Sequence, residues 1–362
     1  MKGFLVTCIV IFPGQALTRI KQNAYASGLV YKTGKTIMRI GTQLLLPALF
    51  ISMSAWAQAP DCDSACLNAF VDQYHEAMIA KDVSDTLFAR ELKFTENGIQ
   101  LPFGSEGAWH LARGRGNYRF YIPDVETQQV AYLGTIKERG RSADDELLAG
   151  FVLRLKIVNG LITEVEQLVA RPEISLFGNN DNSNSPFPAT GTAVEAMGEP
   201  HPVFRAVIPE TERPSRAELI ETANYYFTGL QGNDGTGHYP FTEDCDRREN
   251  GIPVLDNALD PETGVRGRMT CKRQFEVALK GVVTRVRDRR FVAVDREHGI
   301  VFAFAFFDHE NINWTWQLGE LFKIEDGLIR RIETIFHRAP YGIPSGWSTY
   351  EQSISSEIQD VR

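Results

Sequence analysis

The sequence predicts an α+β protein built as two tandem copies of one small unit, and three observations predict it. Short motifs recur in the same order: Glu96-Asn97-Gly98-Ile99 returns as Glu249-Asn250-Gly251-Ile252, and Arg119-Phe120 with Asp124 returns as Arg290-Phe291 with Asp295. Ile157-Val158-Asn159-Gly160-Leu161-Ile162 likewise returns as Ile324-Glu325-Asp326-Gly327-Leu328-Ile329. Each copy opens on apolar residues at helical spacing and closes on alternating strands around an Asn-Gly or Asp-Gly turn. Helix first and antiparallel strands afterwards give α+β, not a parallel βαβ sheet.

The first 57 residues read as a leader. Arg39, the apolar run Leu44 to Ile51 and the small residues after it have the form of a secretory signal over 38–57, with Met38 as the natural start. Ala55-Trp56-Ala57 and Ala57-Gln58-Ala59 both fit a cleavage site. Cutting after Ala57 is favoured, because the second site would leave Pro60 first. A membrane anchor is the rival reading, but the run is shorter than the roughly 20 residues of a span.

The first unit is expected over 58–172. Leu67, Phe70, Val71, Tyr74, Ala77 and Met78 make the apolar side of its helix, with Asp63 or Ser64 as cap. Residues 173–213, polar around Gly178 to Pro186, read as an exposed linker. The second unit is expected over 214–350, with Ser215 capping a helix that carries Leu219, Ile220, Ala223, Tyr226 and Phe227; a tail of 351–362 follows. The motif offsets are 153, 171 and 167 residues, which places an insertion around Asp256 to Cys271.

With 43% hydrophobic and 23% charged residues and a net charge of −8, the chain is globular and lacks the basic face that nucleic acid requires. Export to the periplasm or medium is expected, with no membrane span in the mature form, a small molecule as partner, and a homo-oligomer left open. After the leader four cysteines remain: Cys62, Cys66, Cys245 and Cys271. Pairing within each copy, Cys62–Cys66 and Cys245–Cys271, is the most economical of the three possibilities. A zinc site is the weaker rival.

The helix followed by a bent sheet, and the G-x-I-x-x-x-E hairpin from Gly160 to Glu166 and Gly327 to Glu333, resemble the SnoaL-like (nuclear-transport-factor-2-like) superfamily. The Thr95-Glu96-Asn97 step, Cys245 followed by Glu249, Cys271, and Arg289-Arg290-Phe291 leading to Asp295 are similar to a tandem secreted group found in fungi and bacteria. The resemblance covers about residues 60–345. It implies two tandem cone-shaped α+β barrels, each a helical part packed on a strongly curved antiparallel sheet, with a pocket inside the cone. It implies no particular reaction.

Chemistry in such a pocket calls for carboxylate or histidine bases. Glu96 and Glu249 occupy matched positions before a Gly turn, as bases or as solvated neighbours of that turn. Arg119 with Asp124, and Arg290 with Asp295, fit either a structural ion pair or an electrostatic site. Only the second copy has Asp308-His309, Trp314-Thr315-Trp316 and His337. By alternation Glu333, Ile335 and His337 share one face of the last strand, expected to line the pocket. His238 and Tyr239 sit in a Gly-rich loop that suits a lid. The expected catalytic set is therefore Glu249, His337, Arg290, Glu333, Asp295 and His309. Trp314, Trp316, His238, Tyr239, Glu96 and Arg119 are expected to touch substrate. No phosphate loop, nucleophile elbow or H-E-x-x-H motif occurs, so neither cofactor nor metal is implied. The functional expectation is a cofactor-independent lyase or isomerase acting by proton transfer on a ring-bearing sugar or phenolic compound. The alternative is a non-catalytic small-molecule or glycan-binding protein.

Overall fold

The computed structural model describes residues 61–140, 145–172 and 190–360. The expected leader and the polar stretch 173–189 lie outside the described residues.

Helix α1 (Ser64–Ala80) starts where the Asp63 carboxylate accepts from the Cys66 amide at 2.8 Å, and stops where Lys81 turns left-handed at φ 61°. Leu67, Phe70, Val71, Tyr74, His75 and Met78 are its buried side. β1 (Phe88–Glu96) turns through Asn97-Gly98 into β2 (Ile99–Gln100), and a short α2 (Ala108–Leu111) follows. Then β3 (Ala112–Asp124), β4 (Gln129–Arg139), β5 (Glu146–Val158) and β6 (Leu161–Ala170) meander back. The spatial order is β2-β1-β6-β5-β4-β3.

Across the junction lies α3 (Thr190–Glu195), and α4 (Arg216–Leu230) then opens the second half, capped by Ser215 in a reciprocal box with Glu218. β7 (Phe241–Glu249) and β8 (Ile252–Pro253) come next. An inserted hairpin, β9 (Ala258–Leu259) and β10 (Arg266–Gly267), precedes α5 (Cys271–Arg273) and one π-helical turn. β11 (Arg285–Asp295), β12 (Ile300–His309), β13 (Trp314–Glu325) and β14 (Leu328–Pro340) complete a sheet of order β11-β12-β13-β14-β7-β8, and α6 (Tyr350–Ile354) follows. The second sheet repeats the first strand for strand.

The matched turns coincide in geometry. Asn97-Gly98 has φ 51° and 77°, Asn250-Gly251 50° and 81°, Asn159-Gly160 53° and 75°, and Asp326-Gly327 51° and 72°. Positive φ at both central residues is the reason these positions hold Asn or Asp before Gly. Equal register from these turns makes Glu166 the counterpart of Glu333, Arg171 of Arg338, and Glu138 of His309.

One pairing in each sheet differs from the all-antiparallel expectation: β1 runs parallel to β6, and β7 parallel to β14. After the first hairpin the chain crosses to the far edge before meandering back, so the last strand returns alongside the first. The far-edge strands are bulged. The register of β3 shifts between Arg115 and Arg119, and that of β11 between Arg287 and Arg290, with Asp288 at φ 51°. Such bulges bend and twist a sheet.

Each sheet is buried on both faces. The inner face carries the helix: α1 on the first sheet, α4 on the second. The outer faces pack against each other, with Phe120, Ile122, Leu133 and Val152 meeting Val292, Phe302, Phe304 and Ile335. Buried polar contacts cross this seam. The Tyr118 hydroxyl donates to Glu333 at 2.6 Å, and Arg290 donates through both terminal nitrogens to Glu166, each at 2.7 Å. Asp124 accepts from Arg216 at 2.5 Å and from the Val294 amide at 3.0 Å.

The second part of the expected linker is largely exposed but is fastened to the seam at two points. Val194 and Phe204 are buried in the seam, and Glu195 accepts from the Asn117 amide at 2.6 Å and the Thr135 hydroxyl at 2.5 Å, holding the bulge of β3. The C-terminal residues also bind. Trp347 donates to Thr95 at 2.8 Å with the cations of Lys93 and Arg154 over its ring, and the Asp288 amide donates to the Ser355 carbonyl along the edge of β11. Both expected disulfides are present, Cys62–Cys66 and Cys245–Cys271.

Candidate functional site

Strand alternation decides which side chains reach which face. On β14, Ile332 and Phe336 point inward to α4, so Glu333, Ile335 and His337 point outward. The face expected to line a pocket is the seam. Glu333 is held there by Tyr118 and by Arg331 at 2.8 Å. His337 lies half-buried, its Nε2 3.0 Å from the Gln317 amide, and desolvation pushes its pKa down to about 4.

Arg290 and Asp295 do not meet. Arg290 pairs with Glu166 and Asp288, while Asp295 accepts from the His298 amide at 3.1 Å and pairs with the His298 ring at 2.7 Å, closing its own hairpin. Arg119 is exposed and donates to the Gly116 carbonyl at 3.1 Å. His238 is exposed against the Tyr225 ring. Tyr239 is buried, its hydroxyl donating to Asn233 at 2.6 Å, and braces that loop.

Three polar groupings sit on inner faces. In the first half Glu96 accepts from the Ala108 amide at 2.7 Å, from Gln167 at 2.7 Å and from Arg171 at 2.8 Å. Arg171 also donates to Glu138 at 2.6 Å and 2.8 Å, and Trp109 donates to the Tyr74 hydroxyl, which donates to Gln167. This network is closed on itself. His75, beside Tyr132 and Phe151, donates to the Val71 carbonyl from Nδ1, and burial pushes its pKa to about 3.

The second half replaces that network. Arg247, on β7, donates to the Tyr226 hydroxyl at 2.7 Å, to Glu249 at 2.6 Å and to Gln274. Facing it on β13 is Glu320, 1% exposed, with Oε2 lacking any hydrogen-bond partner. Burial raises its pKa to about 8, Arg247 opposing and Glu249 adding to the shift. In register, Glu320 neighbours Thr334, and Thr334 neighbours Glu249, so the two carboxylates flank one strand on the same face. Only the Glu249 end is partly open to solvent.

The third grouping lies toward the β12–β13 hairpin on the same inner face. Trp316 stacks on Phe336 at 4.6 Å, and the His309 ring meets Trp316 edge-on at 4.7 Å. Arg338 lies over the Trp314 ring at 3.9 Å. Of the expected residues, the structure thus brings Glu249, His309, Trp314 and Trp316 to one inner face. It leaves Arg290, Glu333 and His337 at the seam and Glu96 in the first half.

Arg247, Glu320 and Tyr226 are absent from the site expected on sequence grounds. Their signal was available: Trp314, Trp316, Leu318, Glu320, Phe322 and Ile324 alternate as one column, and Glu320 is the single acid in it. Cys245, Arg247 and Glu249 form the matching column on β7.

Comparison with known proteins is sparse. A family model, Domain of unknown function (DUF8021), matches residues 212–336, from just before α4 into β14. Among solved structures the chain is similar to a de novo designed protein with a curved β-sheet, at 17% identity over 34% of this chain and 88% of that one, TM-score 0.26. It is also similar to an LEH-like epoxide hydrolase of M. tuberculosis, at 14% identity over 34% of this chain and 86% of that one, TM-score 0.24. No curated protein matches.

Proposed function

We propose that this is an exported pocket protein of two SnoaL-like cones in which the second cone performs proton transfer without a cofactor, as a lyase or isomerase on a small ring-bearing sugar or phenolic substrate. The observation that carries the reading is Glu320, a buried carboxyl whose pKa is raised to about 8 beside the Arg247–Tyr226 pair. A carboxyl titrating near neutrality can take a proton from carbon and return it. The C–H electron pair moves toward a neighbouring carbonyl, and the enolate oxygen faces Arg247 and the Tyr226 hydroxyl. Returning the proton to another carbon is isomerisation; expelling a β-substituent is elimination. Glu249 balances the charge of Arg247, and Trp314 and Trp316 supply walls for the ring. Two disulfides and the signal-like leader support a periplasmic or secreted location.

Binding without turnover is the second reading, favoured by the tight interior in which Tyr226 and Glu320 are each 1% exposed. A panel of glycosides and lignin-type dimers assayed with the wild type and Glu320→Gln separates the two. Turnover by the wild type that the variant loses supports catalysis. Recovery of every bound compound unchanged supports the binding protein, and equal turnover by both proteins removes Glu320 from the mechanism.

A further inference from the structure

His309 and Trp314 are direct partners across the β12–β13 ladder, so their side chains leave the sheet on the same, inner face. The His309 Nδ1 lies 2.8 Å from the Val282 carbonyl oxygen. A carbonyl only accepts, so Nδ1 carries the hydrogen and Nε2 presents a bare lone pair. That Nε2 is buried with no hydrogen-bond partner, and so is the Trp314 Nε1–H. An unsatisfied acceptor and an unsatisfied donor thus belong to neighbouring rings whose centroids lie 6.4 Å apart. Buried polar atoms without partners are rare in folded proteins.

At the matched position the first half has no such pair. Glu138 stands where His309 does and is satisfied by Arg171, and Leu147, its ladder partner, has no polar side-chain atom. Arg338, the counterpart of Arg171, lies over the Trp314 ring instead. Burial lowers the His309 pKa, which keeps the ring neutral and Nε2 an acceptor.

We propose that His309 and Trp314 form a subsite for a hydroxyl group carried on a ring, the oxygen accepting from Trp314 Nε1–H and donating its own hydrogen to His309 Nε2. A hydroxyl is a small group that both donates and accepts, so one oxygen can serve an unpartnered acceptor and an unpartnered donor together. The stacked Trp316 and Phe336 supply a flat apolar surface beside it. This deepens the function proposed above by naming the group that holds the substrate, and it rests on that reading only for the chemistry after binding.

The test titrates the full mature, oxidised chain with phenol and with anisole, whose oxygen accepts but cannot donate. Methyl glucoside in a parallel arm tells a sugar hydroxyl from a phenolic one. Trp314→Phe keeps an aromatic ring without the N–H, and His309→Leu removes the acceptor. Phenol should bind about ten-fold more tightly than anisole, or methyl glucoside should bind; either variant should weaken the hydroxyl ligand about ten-fold, and His309→Leu should leave anisole, which donates nothing to it, unchanged. The arm that shows the loss names the source. Equal affinity for phenol and anisole with no methyl glucoside binding, or no effect of Trp314→Phe in any arm, overturns the subsite. The phenol–anisole comparison needs no variant, so a misfolded variant leaves the test intact. Glu320→Gln should leave phenol affinity unchanged, so loss of turnover with retained binding tells failure of catalysis from failure of the subsite.

Discussion

Arg290 of the second sheet reaches Glu166 of the first through two parallel hydrogen bonds of 2.7 Å, with both side chains buried. Breaking one side strands the other charge without water, which costs about 3–5 kcal/mol, whereas apolar replacement of both is close to neutral. Arg290→Met alone should therefore lower the urea midpoint strongly, and adding Glu166→Leu should restore part of it, because Asp288 and Arg154 each still lack one partner. A double variant no more stable than the single one would show that the pair's worth lies elsewhere.

Glu320 gives a pH signature. Its folded pKa, about 8, is above the ordinary 4.5, so its contribution to stability is full below 4.5 and is lost as pH rises through 8. Wild-type stability should fall across that window relative to Glu320→Gln, measured by urea unfolding at pH 5 and pH 9. Parallel curves would mean that the carboxyl is not held neutral. In a turnover assay the same substitution should cost about 100-fold or more.

His75 acts with the opposite sign. Burial depresses its folded pKa to about 3, below the ordinary 6.5, so the stability it allows is present above 6.5 and lost as pH falls toward 3. His75→Leu should flatten the acid limb of the unfolding curve by circular dichroism between pH 6.5 and 3. An unchanged limb would assign acid unfolding to the buried carboxylates instead.

Cys245–Cys271 closes a 26-residue separation around the inserted hairpin, and the chain-entropy model gives about 3.5 kcal/mol for such a link. Peptide mapping of the mature protein should find this link and Cys62–Cys66, with no free thiol. Reduction should speed hydrogen exchange over residues 246–270 more than in β1 to β6. A uniform increase would show that the staple acts on the whole chain.

Legibility in the sequence tracks local physics. The four Asn-Gly and Asp-Gly turns were readable because each needs two residues at positive φ, and the disulfides because each pair is close along the chain. The parallel return of β6 to β1 was not, since no local signal marks a pairing across the whole unit. The seam misled for a related reason. Alternation on β14 separates Glu333 from Phe336 correctly, but both faces of the strand are buried, so alternation alone does not say which face meets the helix. The unbroken apolar run Ile300 to Phe307 carried that information, because only a strand covered on both sides reads so.

The seam also has a symmetry. Glu166 and Glu333 are counterparts, and each accepts from the bulged edge strand of the other half, from Arg290 in one case and Tyr118 in the other. The contact is self-complementary, the form that two identical subunits adopt around a two-fold axis. Here one polypeptide contains both partners. A contact of this kind is complete at two. Joining the partners also removes their obligation to stay identical. One half keeps its closed Glu–Arg–Glu network, while the other has no such network and leaves the His309 Nε2 and Trp314 Nε1 atoms without partners.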